Sequence, residues 1–112
     1  MIPTRHRTRR LKKRAWLQRQ TIEVLSTVPD ELTAKEILHL IRSSNASPTQ
    51  RGWCEATSVS MGMILREIVA QGFILRTKMP TGTYCYSSVE ELDATKYNEF
   101  FGSRGLHPTH QV

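Results

Sequence analysis

The sequence predicts a small α+β fold, mainly helical, with a three-helix core, a two-stranded hairpin and an extra C-terminal helix. Three observations carry that prediction. Met61, Ile64, Leu65, Ile68 and Val69 recur at three- and four-residue steps, which lays one apolar stripe along a helix. Gly72 follows the last apolar turn, where a left-handed cap favours a residue without a Cβ. Residues 73–78 then read as a strand, Pro80-Thr81-Gly82-Thr83 as turn chemistry, and Tyr84-Cys85-Tyr86 as the returning strand.

The elements follow in chain order. Residues 1–8 hold Pro3 and alternating Thr, Arg and His with almost nothing to bury, and are expected to be disordered. A first helix is expected to start between Thr8 and Arg14 and to end near Thr27, with Leu17, Thr21, Val24, Leu25 and Val28 on one face. Leu11, Ala15 and Ile22 widen that face, and Trp16 is expected to be partly buried against a neighbouring helix. Repulsion among the basic residues should fray the start of this helix until an anion binds.

Pro29-Asp30 ends the first helix. Thr33-Ala34-Lys35-Glu36 has the capping-box pattern, in which the Thr33 hydroxyl accepts a backbone amide and Glu36 reaches back. Ala34, Ile37, Leu38 and Ile41 supply the inward stripe of a second helix; His39 and Leu40 point outward. Residues 43–56 are rich in Ser, Asn, Pro and Gly and are expected to form a long loop of about a dozen residues, a length associated with function or mobility. Two readings of Arg51 and Trp53 stay open. They form a nucleic-acid or protein contact, or Trp53 folds back over the core and Arg51 is a solvated charge.

The third helix, expected over 57–71, turns Ser58, Val59, Gly62, Met63 and Arg66 outward. Ser58 and Ser60 can hydrogen-bond phosphates or bases, and Arg66 can pair with guanine. Gly62 costs about 1 kcal/mol in mid-helix relative to alanine, which suggests close approach of a backbone or of another helix. An exposed Met63 suits a thymine methyl or an apolar partner. In the hairpin, Arg76 and Lys78 share a side, as phosphate contacts or as a solvated face; Tyr84 and Tyr86 share the returning strand's face and read as packing residues. Ser88-Val89-Glu90-Glu91 repeats a capping box ahead of a last helix, expected over 89–101. Its Leu92, Tyr97, Phe100 and Phe101 pack on the first helix or form a homodimer contact. Gly102 ends it, and the tail of residues 102–112 is expected to be disordered.

Charge narrows the function. The net charge is +6, and it is unevenly placed. Residues 1–19 carry eight bases and no acid, residues 20–86 six of each, and residues 87–112 two bases and four acids. The basic character therefore belongs to one end, which fits an anionic partner, most often nucleic acid. Cys54 and Cys85 form no CxxC pair, and four scattered histidines suggest no metal site. No phosphate loop or nucleophile elbow is present, and no enzyme or cofactor is expected. No apolar run approaches the ~20 residues of a membrane span, and no h-region follows the basic start. An intracellular protein is expected.

Ile64-Leu65-Arg66-Glu67-Ile68, Gln71-Gly72-Phe73-Ile74 and the Gly82-Thr83-Tyr84 turn exit together resemble the third helix and wing of a winged helix-turn-helix domain. Upstream, residues 32–38 resemble that family's short first strand running into its second helix. The resemblance covers roughly residues 15–87 and points to a fold class, not to a subfamily. It implies a small DNA-binding protein, a transcriptional regulator in role, whose third helix enters the major groove while the wing touches the flanking backbone. On that basis residues 1–10 form a basic flexible arm, 11–87 the winged-helix domain and 88–101 the C-terminal helix. The DNA-contacting set is then Arg5, Arg7, Arg9, Arg10, Lys12, Lys13, Arg14, Arg51, Ser58, Ser60, Gly62, Met63, Arg66, Arg76 and Lys78. Duplex DNA is the expected partner; the alternatives are RNA gripped by the arginine-rich arm and a protein docked on the third helix.

Overall fold

The elements run α1 (Thr4–Thr27), β1 (Leu32–Thr33), α2 (Ala34–Ser43), α3 (Pro48–Ala56), α4 (Met61–Ala70), β2 (Ile74–Lys78), β3 (Tyr84–Ser88) and α5 (Ala94–Gly102). This computed structural model describes residues 4–44, 46–57 and 59–102, and the side chains of these except residues 4–11 and 56. The architecture is α+β and mainly helical. Among the described residues, five helices accompany one antiparallel sheet of three strands in the order β1-β3-β2.

Helix α1 begins at Thr4, ahead of the start expected between Thr8 and Arg14. Two of the four residues that extend it ahead of Thr8 are arginines, a straight-chain type that loses little rotamer freedom in a helix. Its core face buries Ala15, Leu17, Ile22 and Leu25 together with two polar residues, Gln18 and Thr21. The Thr21 hydroxyl is satisfied locally, donating to the Leu17 carbonyl at 2.8 Å. Residues 1–3 and the expected tail at 103–112 lie outside the described residues.

Thr33 serves two elements at once. It pairs with Cys85 while Leu32 pairs with Tyr86, so β1 adds a third strand to the hairpin. It also caps α2: the Glu36 amide donates to the Thr33 hydroxyl at 3.2 Å, and the Thr33 amide donates to the Glu36 carboxylate at 2.9 Å. The backbone amide, then the hydroxyl, of Thr33 hold the Glu36 carboxyl below its ordinary pKa. Ile37, Leu38 and Ile41 turn inward from α2 as their spacing requires.

The long loop expected at 43–56 is largely a helix. The Ser47 hydroxyl accepts the Gln50 amide at 3.2 Å, and the Gln50 side chain accepts the Ser47 amide at 2.9 Å. Pro48 occupies the first turn, where its missing N–H costs nothing. This second capping box, Ser-Pro-Thr-Gln, outweighs the turn-like composition. α3 then presents Cys54 to the core, and Trp53 is half-buried. The ring of Trp53 meets Trp16 of α1 edge-on, with centroids 5.7 Å apart. Outside, Arg42 of α2 and Glu55 of α3 form an exposed ion pair at 2.7 Å.

Helix α4 starts at Met61, four residues later than expected, and ahead of it the Ser60 amide donates to the Thr57 carbonyl at 3.0 Å. Met61, Ile64, Leu65 and Ile68 are buried, as the apolar stripe requires. Gly72 ends the helix at φ +81°. The Gly72 amide donates to Val69 and the Phe73 amide to Ile68, both at 3.0 Å, which is the two-bond Schellman closure.

The hairpin that follows pairs Ile74 with Ser88 through Lys78 with Tyr84. Its loop holds the Gly82 amide to the Met79 carbonyl and the Met79 amide to the Thr83 carbonyl, each at 2.8 Å. Gly82, at φ +92°, supplies the left-handed residue of a three-residue hairpin loop.

Helix α5 starts at Ala94 instead of residue 89. The Asp93 carboxylate accepts the Lys96 amide at 3.1 Å, so Asp93, and not Ser88, opens it. Its aromatic residues are used within the chain. Phe73 meets the rings of Phe100 at 5.4 Å, Tyr97 at 5.9 Å and Phe101 at 6.3 Å. Tyr97 also lies beside Arg19 and Glu23, which ties α5 to α1.

Candidate nucleic-acid interface

The candidate interface is built on the outer side of α4. Burial of its apolar stripe forces the opposite face into solvent. Gly62 and Arg66 are exposed there, Met63 is 71% exposed, and Val59 in the preceding turn is 97% exposed. Among the described residues nothing lies within 4 Å of a Cβ built on Gly62. The glycine therefore makes room for nothing inside the described chain.

Two observations fix this helix against α1. Gln18 is fully buried, and its side-chain amide donates to the Ile64 carbonyl at 3.0 Å and to the Glu67 carboxylate at 2.7 Å. Among the described residues its oxygen has no hydrogen-bond partner. Packing of Leu17 and Leu25 into the same core as Leu65 and Ile68 does the rest. The result sets α1 beside the start of α4, and an open groove of about 330 Å³ forms between them, lined by Lys13, Arg14, Thr57, Ser60, Met63 and Ile64. The Ser60 hydroxyl leans on the Thr57 carbonyl at 3.5 Å, and Thr57 is held in turn by the Trp53 carbonyl at 2.8 Å.

Of the candidate contacts, Lys13, Arg14, Ser60 and Met63 are thus brought together, with Gly62 and Arg66 on the same helix. Lys12 is exposed one position away on α1. Arg76 and Lys78 lie on β2, the strand that follows α4, and both are exposed. Arg76 does not extend freely: its guanidinium sits over the Tyr84 ring, 4.4 Å from the centroid. Arg51 is exposed on α3 and does not line the α1–α4 groove. Ser58 lies outside the described residues, as do the side chains of Arg5, Arg7, Arg9 and Arg10, whose backbone belongs to α1.

Gln18, which holds α4 against α1, is not among the residues that the sequence singles out. A signal was present, because a glutamine stands inside the apolar stripe beside Leu17 and Thr21. Thr57 was missed in the same way, as a buried polar residue at the junction of α3 and α4. Elsewhere, burial pushes the Cys54 thiol above its ordinary pKa, with nearby Arg42 opposing it. Among the described residues no group of three or more His, Cys, Asp or Glu could hold a metal ion, and no helix is long and apolar enough to cross a membrane. Comparison with known proteins adds no relative: no family model, no curated protein and no solved structure matches this chain.

Proposed function

We propose that the chain is a winged helix-turn-helix protein that binds duplex DNA, with α4 in the major groove and the β2–β3 hairpin as the wing. The observation that carries the proposal is the α1–α4 groove. It sets Lys13 and Arg14 beside the exposed face of the helix that would meet the bases. Cations that grip a phosphate next to a helix surface can orient that surface toward base edges. The element order supports the same reading, because the β2–β3 hairpin follows α4 directly and β2 carries Arg76 and Lys78. In this assignment α1, α2 and α4 are the three core helices, and α3 is an additional helix between the second and the third. A role in transcription regulation follows from such binding if the target is a defined site.

The test is competition binding by fluorescence anisotropy among random duplex DNA, structured RNA and a selected-oligonucleotide pool. The proposal expects duplex to outcompete RNA and the pool to converge on a short sequence. A consistent preference for structured RNA would overturn it in favour of an RNA-binding protein.

A further inference from the structure

The outer face of α4 is unusual for a surface that meets nucleic acid, since its most prominent side chains are apolar. Val59 and Met63 are 97% and 71% exposed, and neither covers the core. Arg66 is the cation that α4 itself contributes to that face. Two further cations come from α1, as Lys13 and Arg14 line the groove that Met63 shares. Such a site has a charged edge for a phosphate and an apolar tip beside it. A protein partner with an apolar helix satisfies the tip and leaves the cations without a counterpart. A DNA strand satisfies both. In the major groove, the one apolar feature a base pair presents is the C5-methyl group of thymine.

From this juxtaposition we infer that Met63 and Val59 read thymine C5-methyl groups, while Lys13 and Arg14 hold the adjoining phosphates. The inference rests on the DNA-binding reading above and adds its chemical specificity: A·T steps are recognised by their methyl groups. Gly62 fits the same geometry. The space above it is open, so a base edge can approach the α4 backbone between Val59 and Met63.

The experiment compares binding to poly(dA-dT) and poly(dA-dU) duplexes, which differ in that methyl group. The expected result is weaker binding to the dU duplex, by about fourfold for each methyl contacted, the factor that corresponds to about 0.8 kcal/mol per buried methyl-sized group. Met63→Ala should weaken binding to the dT duplex more than to the dU duplex, and so reduce the ratio between the two. Met63 is exposed, so that variant keeps its fold. Equal binding to both duplexes, or a ratio unchanged in Met63→Ala, overturns the inference and leaves DNA binding intact. Failure to bind either duplex at low salt overturns the DNA reading itself and the inference with it.

Discussion

Gln18 of α1 holds α4 in place, its side-chain amide donating to the Ile64 carbonyl at 3.0 Å and to the Glu67 carboxylate at 2.7 Å. The bond reaches across the core to the helix that carries the candidate interface. Gln18→Ala removes it and leaves space behind, and we expect a loss of about 1–3 kcal/mol in urea unfolding. Gln18→Met keeps the volume and removes the unpartnered oxygen, so it should cost less than the alanine variant. Equal losses would mean that the hydrogen bonds, which both variants lack, outweigh the space that alanine leaves.

Trp16 and Trp53 join α1 to α3 by an edge-to-face contact at 5.7 Å. Aromatic pairs of this geometry contribute about 0.5–1.5 kcal/mol beyond their buried area. A double-mutant cycle with Trp16→Leu and Trp53→Leu should return a coupling of that size. Additive losses would show that α3 is held by Cys54 and by the Arg42–Glu55 pair instead.

Gly62→Ala should stabilise the free protein by about 0.5–1 kcal/mol, because the helix recovers alanine's propensity and no atom of the fold is in the way. The same substitution should weaken DNA binding, since the added methyl stands where a base edge approaches. Denaturation and anisotropy on the one variant check both signs. A more stable protein with undiminished affinity would remove Gly62 from the interface.

Most of the element order was legible in the sequence, and the reasons differ by element. The α4 stripe and Gly72 each had one physical solution, since a three-four apolar repeat and a left-handed cap leave little choice. Thr33 and Glu36 announced α2 by a pattern that the hydrogen bonds reproduce. α3 was hidden because Ser, Asn, Pro and Gly in residues 43–56 suit turns, while Ser47 and Gln50 make a cap from the same residue types. The α5 start was misplaced because Ser88-Val89-Glu90-Glu91 offers a cap pattern, while the backbone remains in β3 at Ser88. The groove between α1 and α4 was not legible at all. It depends on how two helices cross, and local spacing carries no record of that.

Stability at high pH should follow the buried tyrosines. Burial raises the Tyr97 hydroxyl above its ordinary pKa, against the opposing effect of Arg19. A folded value above the unfolded one, about 10, means the contribution is fully present below that pH and is lost as pH rises through the folded value. Thermal midpoints should therefore fall in the alkaline range. Tyr97→Phe should fall less steeply, with the remaining slope shared by Tyr86, whose hydroxyl burial also raises. An identical alkaline slope in the two proteins would rule Tyr97 out as a source.

The most direct test is the salt dependence of duplex binding. If about five or six cations of α1 and the hairpin meet phosphates, the logarithm of the binding constant should fall with the logarithm of salt at a slope of about −5. Replacing Lys13 and Arg14 together by glutamine should flatten that slope by about 2, at roughly 0.9 per phosphate contact. A slope near zero, or one that the paired substitution leaves unchanged, would contradict a DNA strand seated between α1 and α4.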